Sequence, residues 1–143
     1  MSASESITPL LGRFLLAWFF LSQAVQRIRE WDAMVVLTQM KHLPFGPLLL
    51  ALAVLAMIWG GFMLILGYQT RFAALMLSFC TAVWIYVAHD FWTLRDPILR
   101  GADYLTFSLG VALIGGLLAL TGLGGGRFSL DHLRHARRIQ SNS

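Results

Sequence analysis

Apolar positions run along this chain in four long blocks, and polar positions gather between them. The first block is Leu10 to Val25, interrupted by Arg13 and Gln23. The second, Leu48 to Leu66, is nineteen residues without a charge, Asn, Gln, Ser or Thr. The third is Phe72 to Ala88, with Ser78, Cys80 and Thr81 as its polar members. The fourth is Tyr104 to Leu123, with Thr106, Ser108 and Thr121. Nineteen helical residues span about 28 Å, close to the hydrocarbon thickness of a bilayer. Lipid offers the backbone no hydrogen-bonding partners, so each block predicts a membrane-spanning helix. The expected spans are residues 9–26, 47–66, 71–88 and 104–123. A soluble bundle needs a charged stripe on each helix, and the second and fourth blocks have none.

The stretches between the blocks predict how the helices begin and end. Thr8-Pro9 reads as a helix start, with Pro at the first helical position. In WGGFMLILGYQTRFAAL, Gly67 ends the second span without a Cβ penalty, Gln69 and Thr70 are placed to satisfy freed backbone groups, and Arg71 sits at the headgroups. This predicts a tight turn. Asp103 before Tyr104 is the expected N-cap of the fourth span. After the first span, Ile28, Trp31, Val35 and Thr38 share one face opposite Arg27, Glu30 and Lys41. That pattern suits a short interfacial helix capped by Asp32 and ended before Pro44. Phe91 and Trp92 belong in an aromatic belt at headgroup level. Small residues at four-residue spacing (Ala56 and Gly60, Ala112 and Gly116, Gly115 and Ala119) mark the second and fourth spans for the closest internal packing. Each half of the chain reads as helix, outer segment with proline, and helix with a Gly-Gly pair, a faint parallel repeat.

Composition agrees. Of 143 residues, 57% are apolar and only 13% charged, too few to coat a soluble surface; mean hydropathy is +0.68. The fold class is all-α: an integral membrane four-helix bundle with short interfacial segments on its outer side. Residues 1–9 form an N-terminal tail, 10–126 the transmembrane domain and 127–143 a basic C-terminal tail. The first block follows Glu5 rather than a basic region, so it reads as a retained span, not a signal peptide. Four spans put both termini and the 67–71 turn on one side with six basic residues, against five on the other. That weak bias orients both termini towards the cytoplasm. The tail, with Arg134, Arg137 and Arg138, either lies on anionic headgroups or is simply solvated.

Polar residues inside the spans are where function is sought in a membrane protein. Arg13 lies about one turn inside the first span. It either snorkels to the interface or is a buried cation for a carboxylate, quinone or substrate. Gln23, Gln26 and Arg27, at the outer end, suit interhelical hydrogen bonds. His89-Asp90, beside Phe91-Trp92, either cap the third span or hold a quinone headgroup or relay a proton, with His42 on the same side. The lone Cys80 cannot form an internal disulfide and reads as a small core residue. The sequence holds no mid-span histidine pair for haem, no metal-spaced His/Cys cluster, no P-loop and no nucleophile elbow, and nothing in it points to nucleic acid.

LLGRFLLAWFFLSQAVQRI resembles the start of DoxX-family proteins, where Gly-Arg opens the first helix and a Phe-rich stretch leads to a small residue and a lysine, here Ala24 and Arg27. WGGFMLILGYQTRFAALML resembles their second signature, and LLALTGLGGGRFSLDHL their typical end. The resemblance covers residues 10–133. It departs where relatives commonly carry an acid in the second helix, a position occupied here by Met57. The resemblance implies a small bacterial four-helix membrane protein, of a kind that includes subunits of quinone-linked oxidoreductases such as thiosulfate:quinone oxidoreductase. The expected function is a non-catalytic anchoring or assembly subunit of a membrane redox complex in the bacterial inner membrane. It has no catalytic residues, metal or cofactor of its own, and Arg13, His89, Asp90 and Trp92 are its candidate contacts to a quinone or bound lipid. Expected partners are membrane lipids and other subunits, or further copies of the chain. The alternatives are a quinone-linked oxidoreductase subunit with its own substrate site, acting through Arg13 or His89, and a small transporter or lipid-handling protein.

Overall fold

A computed structural model describes the backbone of residues 3–126 and Ser129, and the side chains of 7–126 and Ser129. Most of the basic tail, with Arg134, Arg137, Arg138, His132 and His135, lies outside the described residues. The described chain forms five helices: α1 (Ala3–Arg29), α2 (Trp31–Met40), α3 (Gly46–Leu66), α4 (Thr70–Ala88) and α5 (Pro97–Leu123). Four of them, all but α2, are long and apolar enough to cross a membrane. Large apolar side chains including Leu15, Trp18, Phe79 and Tyr86 point outward from them. Water would penalise that surface and lipid does not, so the chain is an all-α membrane bundle of the expected class.

Three helix starts differ from expectation. α1 begins at Ala3 and carries Pro9 inside it. Proline lacks one amide donor, and the helix absorbs that loss rather than starting there. α5 begins at Pro97, with Asp96 as its N-cap; the Asp96 carboxylate accepts from the amides of Ile98 at 2.8 Å and Leu99 at 3.4 Å. Asp103 is therefore not a cap but sits inside the helix. α5 has 27 residues. A helix of that length runs to about 40 Å, more than the hydrocarbon thickness, so it tilts or projects beyond the span. The interfacial helix forms as α2, but its N-cap position is Glu30, which makes no side-chain cap, and Asp32 lies in the first turn.

Burial picks one stripe per helix that the apolar sequence does not mark. In α1 it is Arg13, Ala17, Phe20, Ala24 and Arg27, in steps of four and three. In α3 it is Leu50, Val54, Met57, Gly61 and Leu64, with Gly60 beside it. α1 lies along α3, α4 lies along α5, and α3 meets α4 to join the two pairs. Without a hydrophobic drive in lipid, close packing carries the association. A Cβ on Gly61 would fall 2.8 Å from Cγ of Leu21, one on Gly60 2.7 Å from Cγ of Leu77, and one on Gly110 2.5 Å from Cγ2 of Ile85. By contrast Gly115 and Gly116 have nothing within 4 Å of that position. The expected close contact of the fourth span is thus displaced to Gly110, and the two Gly-Gly pairs are not equivalent.

Candidate functional site

The end of the bundle at the 67–71 turn joins three distant pieces of sequence. α3 closes with a reciprocal pair of backbone bonds: the amide of Tyr68 donates to Met63 O at 3.1 Å and that of Gly67 to Leu64 O at 3.3 Å. Gly67 has φ +65°, the left-handed conformation this end requires. The guanidinium of Arg13, 1% exposed, reaches the last turn of α3. Its Nε donates to Leu64 O at 3.0 Å and Nη2 to Ile65 O at 3.2 Å, while Nη1 donates to Gly125 O beyond α5. Helix C-termini leave carbonyls without intrahelical donors and carry partial negative charge. Arg13 answers both, so it does not snorkel. It staples α1 to the end of α3 and to the segment after α5. Gly124, Gly125 and Gly126 let that segment approach Arg71, Thr70 and Pro9 closely.

At the opposite end of the bundle the polar residues are arranged differently. The second half of α1 and the first half of α5 flank a cavity of about 480 Å3, backed by α4 and Met57. Phe19, Phe20, Ile85, Leu109 and Leu113 make it apolar along its length, and Gln23, Arg27, Thr81, Trp84, His89 and Thr106 supply its polar groups. Arg27 is buried. Its guanidinium carbon lies 4.1 Å from the centroid of the Trp84 ring, in a cation–π contact. Its Nε is buried with no hydrogen-bond acceptor among the described residues. Thr81 turns its hydroxyl back to Leu77 O at 2.7 Å, which leaves the oxygen as an acceptor only. His89 follows α4, and its Nδ1 lies 2.7 Å from Oδ1 of Asp103, inside α5. The carboxylate fixes the proton of a neutral His89 on Nδ1 and leaves Nε2 as an acceptor.

The four residues predicted as contacts therefore separate. Arg13 is at the opposite end from His89. Asp90 turns away to Lys41, 2.5 Å from Nζ, and this hydrogen bond, its largest influence, holds the carboxyl below its ordinary value. Lys41 and not His42 makes that link. Trp92 is about half exposed and packs on Phe91 and Tyr86. Of the four, only His89 lines the cavity. Sequence reasoning assigned Arg27 to interhelical bonding and did not single out Trp84. The signal for Arg27 was its position as a charge near the end of an apolar span; for Trp84 nothing in the chain distinguished it from a lipid-facing aromatic. Among the described residues no group of three His, Cys, Asp or Glu side chains is placed to hold a metal.

A second hollow, of about 370 Å3, lies between α3 and α4. Apart from Thr38 it is lined by apolar groups and Cys80. Met57 forms part of both walls. Arg27 and Met57 thus border the same cavity.

The comparisons with known proteins agree with the membrane fold. The SURF4 family model matches residues 51–136, from the second turn of α3 onward. A stretch of 73 residues is 40% identical to an uncharacterized protein of Caenorhabditis elegans. It covers 48% of this chain and 25% of that relative, so the chain spans about a quarter of the relative's length. No solved structure matches. The DoxX family model matches residues 8–90, more than half of the chain, including most of α1, the tight 67–71 turn and the whole of α4, and the protein belongs to the DoxX family.

Proposed function

We propose that this multi-pass membrane protein is a non-catalytic anchoring subunit of a redox complex in a bacterial inner membrane, and that it contributes a quinone-binding cavity on the outer side. The observation that carries the reading is the cavity between α1 and α5. It is apolar along its length, opens between membrane-spanning helices, and ends at a buried arginine with an unused donor. An isoprenoid ring compound matches both parts: its chain and ring fit the apolar walls, and a ring oxygen accepts from Arg27. An orphaned buried donor costs about 1–3 kcal/mol, and a ligand oxygen removes that cost. Arg13 takes no part, being engaged with backbone carbonyls at the other end.

Purification in mild detergent at native expression tests the reading. Quinone and at least one further polypeptide are expected to accompany the wild-type protein, and quinone is expected to be lost from Arg27→Gln while the partner is kept. A protein that runs alone and carries no quinone ends the proposal. The apolar hollow between α3 and α4 favours a second reading, lipid handling. Phospholipid copurifying in place of quinone, with flux in proteoliposomes, selects it.

A further inference from the structure

The polar groups of the outer cavity differ in kind. Arg27 can only donate, and its Nε is buried and unused. On the other side His89 lines the same cavity with its Nδ1 committed to Asp103 at 2.7 Å. The neutral ring then presents Nε2 as an acceptor. Thr81, more than two turns earlier on α4, has its hydroxyl hydrogen spent on Leu77 O and offers acceptor capacity to the same cavity. Gln23, Trp84 and Thr106 line the cavity as well, but the unused Arg27 donor and the His89 acceptor are both satisfied only by a ligand group that both accepts and donates. A ring carbonyl accepts only; against His89 Nε2 it sets two lone pairs face to face. A hydroxyl takes a bond from Arg27 and gives one to His89.

Resting on the quinone reading above, we infer that the cavity distinguishes the two redox forms of its ligand and holds the quinol in preference to the quinone. The preference arises from the tautomer that Asp103 imposes on His89, so Asp103 is a positioning residue that acts through the histidine. Its expected size is about tenfold in affinity, the order set by leaving one buried hydrogen-bonding group without a partner. A site that favours the reduced form raises the midpoint potential of the bound couple, by about 30 mV for a tenfold preference in a two-electron couple.

The test uses the full chain in lipid nanodiscs at neutral pH, with decylubiquinone and its chemically reduced quinol under argon as probes. Each form is partitioned between protein-containing and empty nanodiscs. The wild type is expected to retain the quinol about tenfold more strongly. His89→Phe keeps a ring of similar size and removes the acceptor, so the ratio of the two affinities should fall towards unity while the quinone still binds. Asp103→Leu, which releases the tautomer, should lower the ratio partway. Arg27→Gln should weaken both forms together. Equal or tighter binding of the quinone by the wild type overturns the inference and leaves the quinone reading standing, as does a His89→Phe protein with an unchanged ratio. Retention of neither form by the wild type overturns both.

Discussion

Arg13 and Arg27 leave the same face of α1 and meet opposite surroundings. Fourteen helical residues, a rise of about 21 Å, separate them. Both are buried. Arg13 spends its guanidinium on three backbone carbonyls from two other parts of the chain. Arg27 rests on the Trp84 ring and leaves Nε without an acceptor among the described residues. Burial of a charge is costly in either place. At the Arg13 end the protein offsets the cost itself, and the arginine is part of the scaffold. At the Arg27 end the cost is only partly offset, beside a cavity. The residue that looks more functional in sequence, a charge deep in a span, is the structural one.

The contrast is broken most directly by removing each arginine. Arg13→Ala leaves the carbonyls of Leu64, Ile65 and Gly125 buried without this donor, at about 1–3 kcal/mol for each that stays dry. We expect loss of monodisperse protein on size exclusion, or a large fall in melting temperature in detergent. Arg27→Ala should cost no more than the cation–π contact, about 0.5–2 kcal/mol, and should show its main effect as lost ligand. If the two variants melt alike, the distinction between scaffold and site is wrong.

Next in size is packing. Gly61→Ala drives a Cβ against Leu21 and should cost about 1–3 kcal/mol. Gly116→Ala meets open space and should gain up to about 1 kcal/mol from helix propensity. Opposite signs in thermal unfolding would confirm that α1–α3 is the tight pair and that this part of α5 faces outward; equal signs would not.

The smallest effect is at Lys41–Asp90, whose side chains are 25% and 31% exposed. The Asp90 carboxyl is held below its ordinary value of 3.8 by Lys41. A lowered carboxyl pKa stabilises the fold above that value, and the contribution is lost as pH falls through the folded value. Lys41→Ala should therefore lower stability at neutral pH by less than about 1 kcal/mol, solvent screening included. The difference from wild type should vanish in acid. A difference that grows with falling pH would show that the pair is not what couples α2 to the end of α4.

The spans were legible because each apolar block is long and lipid demands a helix. Which face of each helix is buried was not legible: α3 is apolar all round, and only the partner surfaces of Leu21 and Leu77 pick out Gly61 and Gly60. The staple was illegible for a similar reason. Its acceptors are backbone carbonyls, which every residue has, and they come from 51 and 112 residues away. Yet the three sequence signatures that resemble the DoxX pattern, around Arg13, Gly67 and Gly124–Gly126, are the three pieces that meet there. The start of α5 was readable and misread. Asp96-Pro97 is a good N-cap and first-turn pair, but Asp103 lay nearer the apolar block. That displacement is what frees Asp103 to hold His89.

The staple also sets an order of events in biogenesis. Arg13 belongs to α1, which is made before α3 and α5, and Gly125 follows it by 112 residues. At roughly 5–20 residues per second, about 6 to 22 s separate them. Through that interval the cation is already at the membrane while one of its acceptors has not been made. Two of its acceptors, Leu64 O and Ile65 O, are made with α3, and the staple is complete only when the segment after α5 supplies the third.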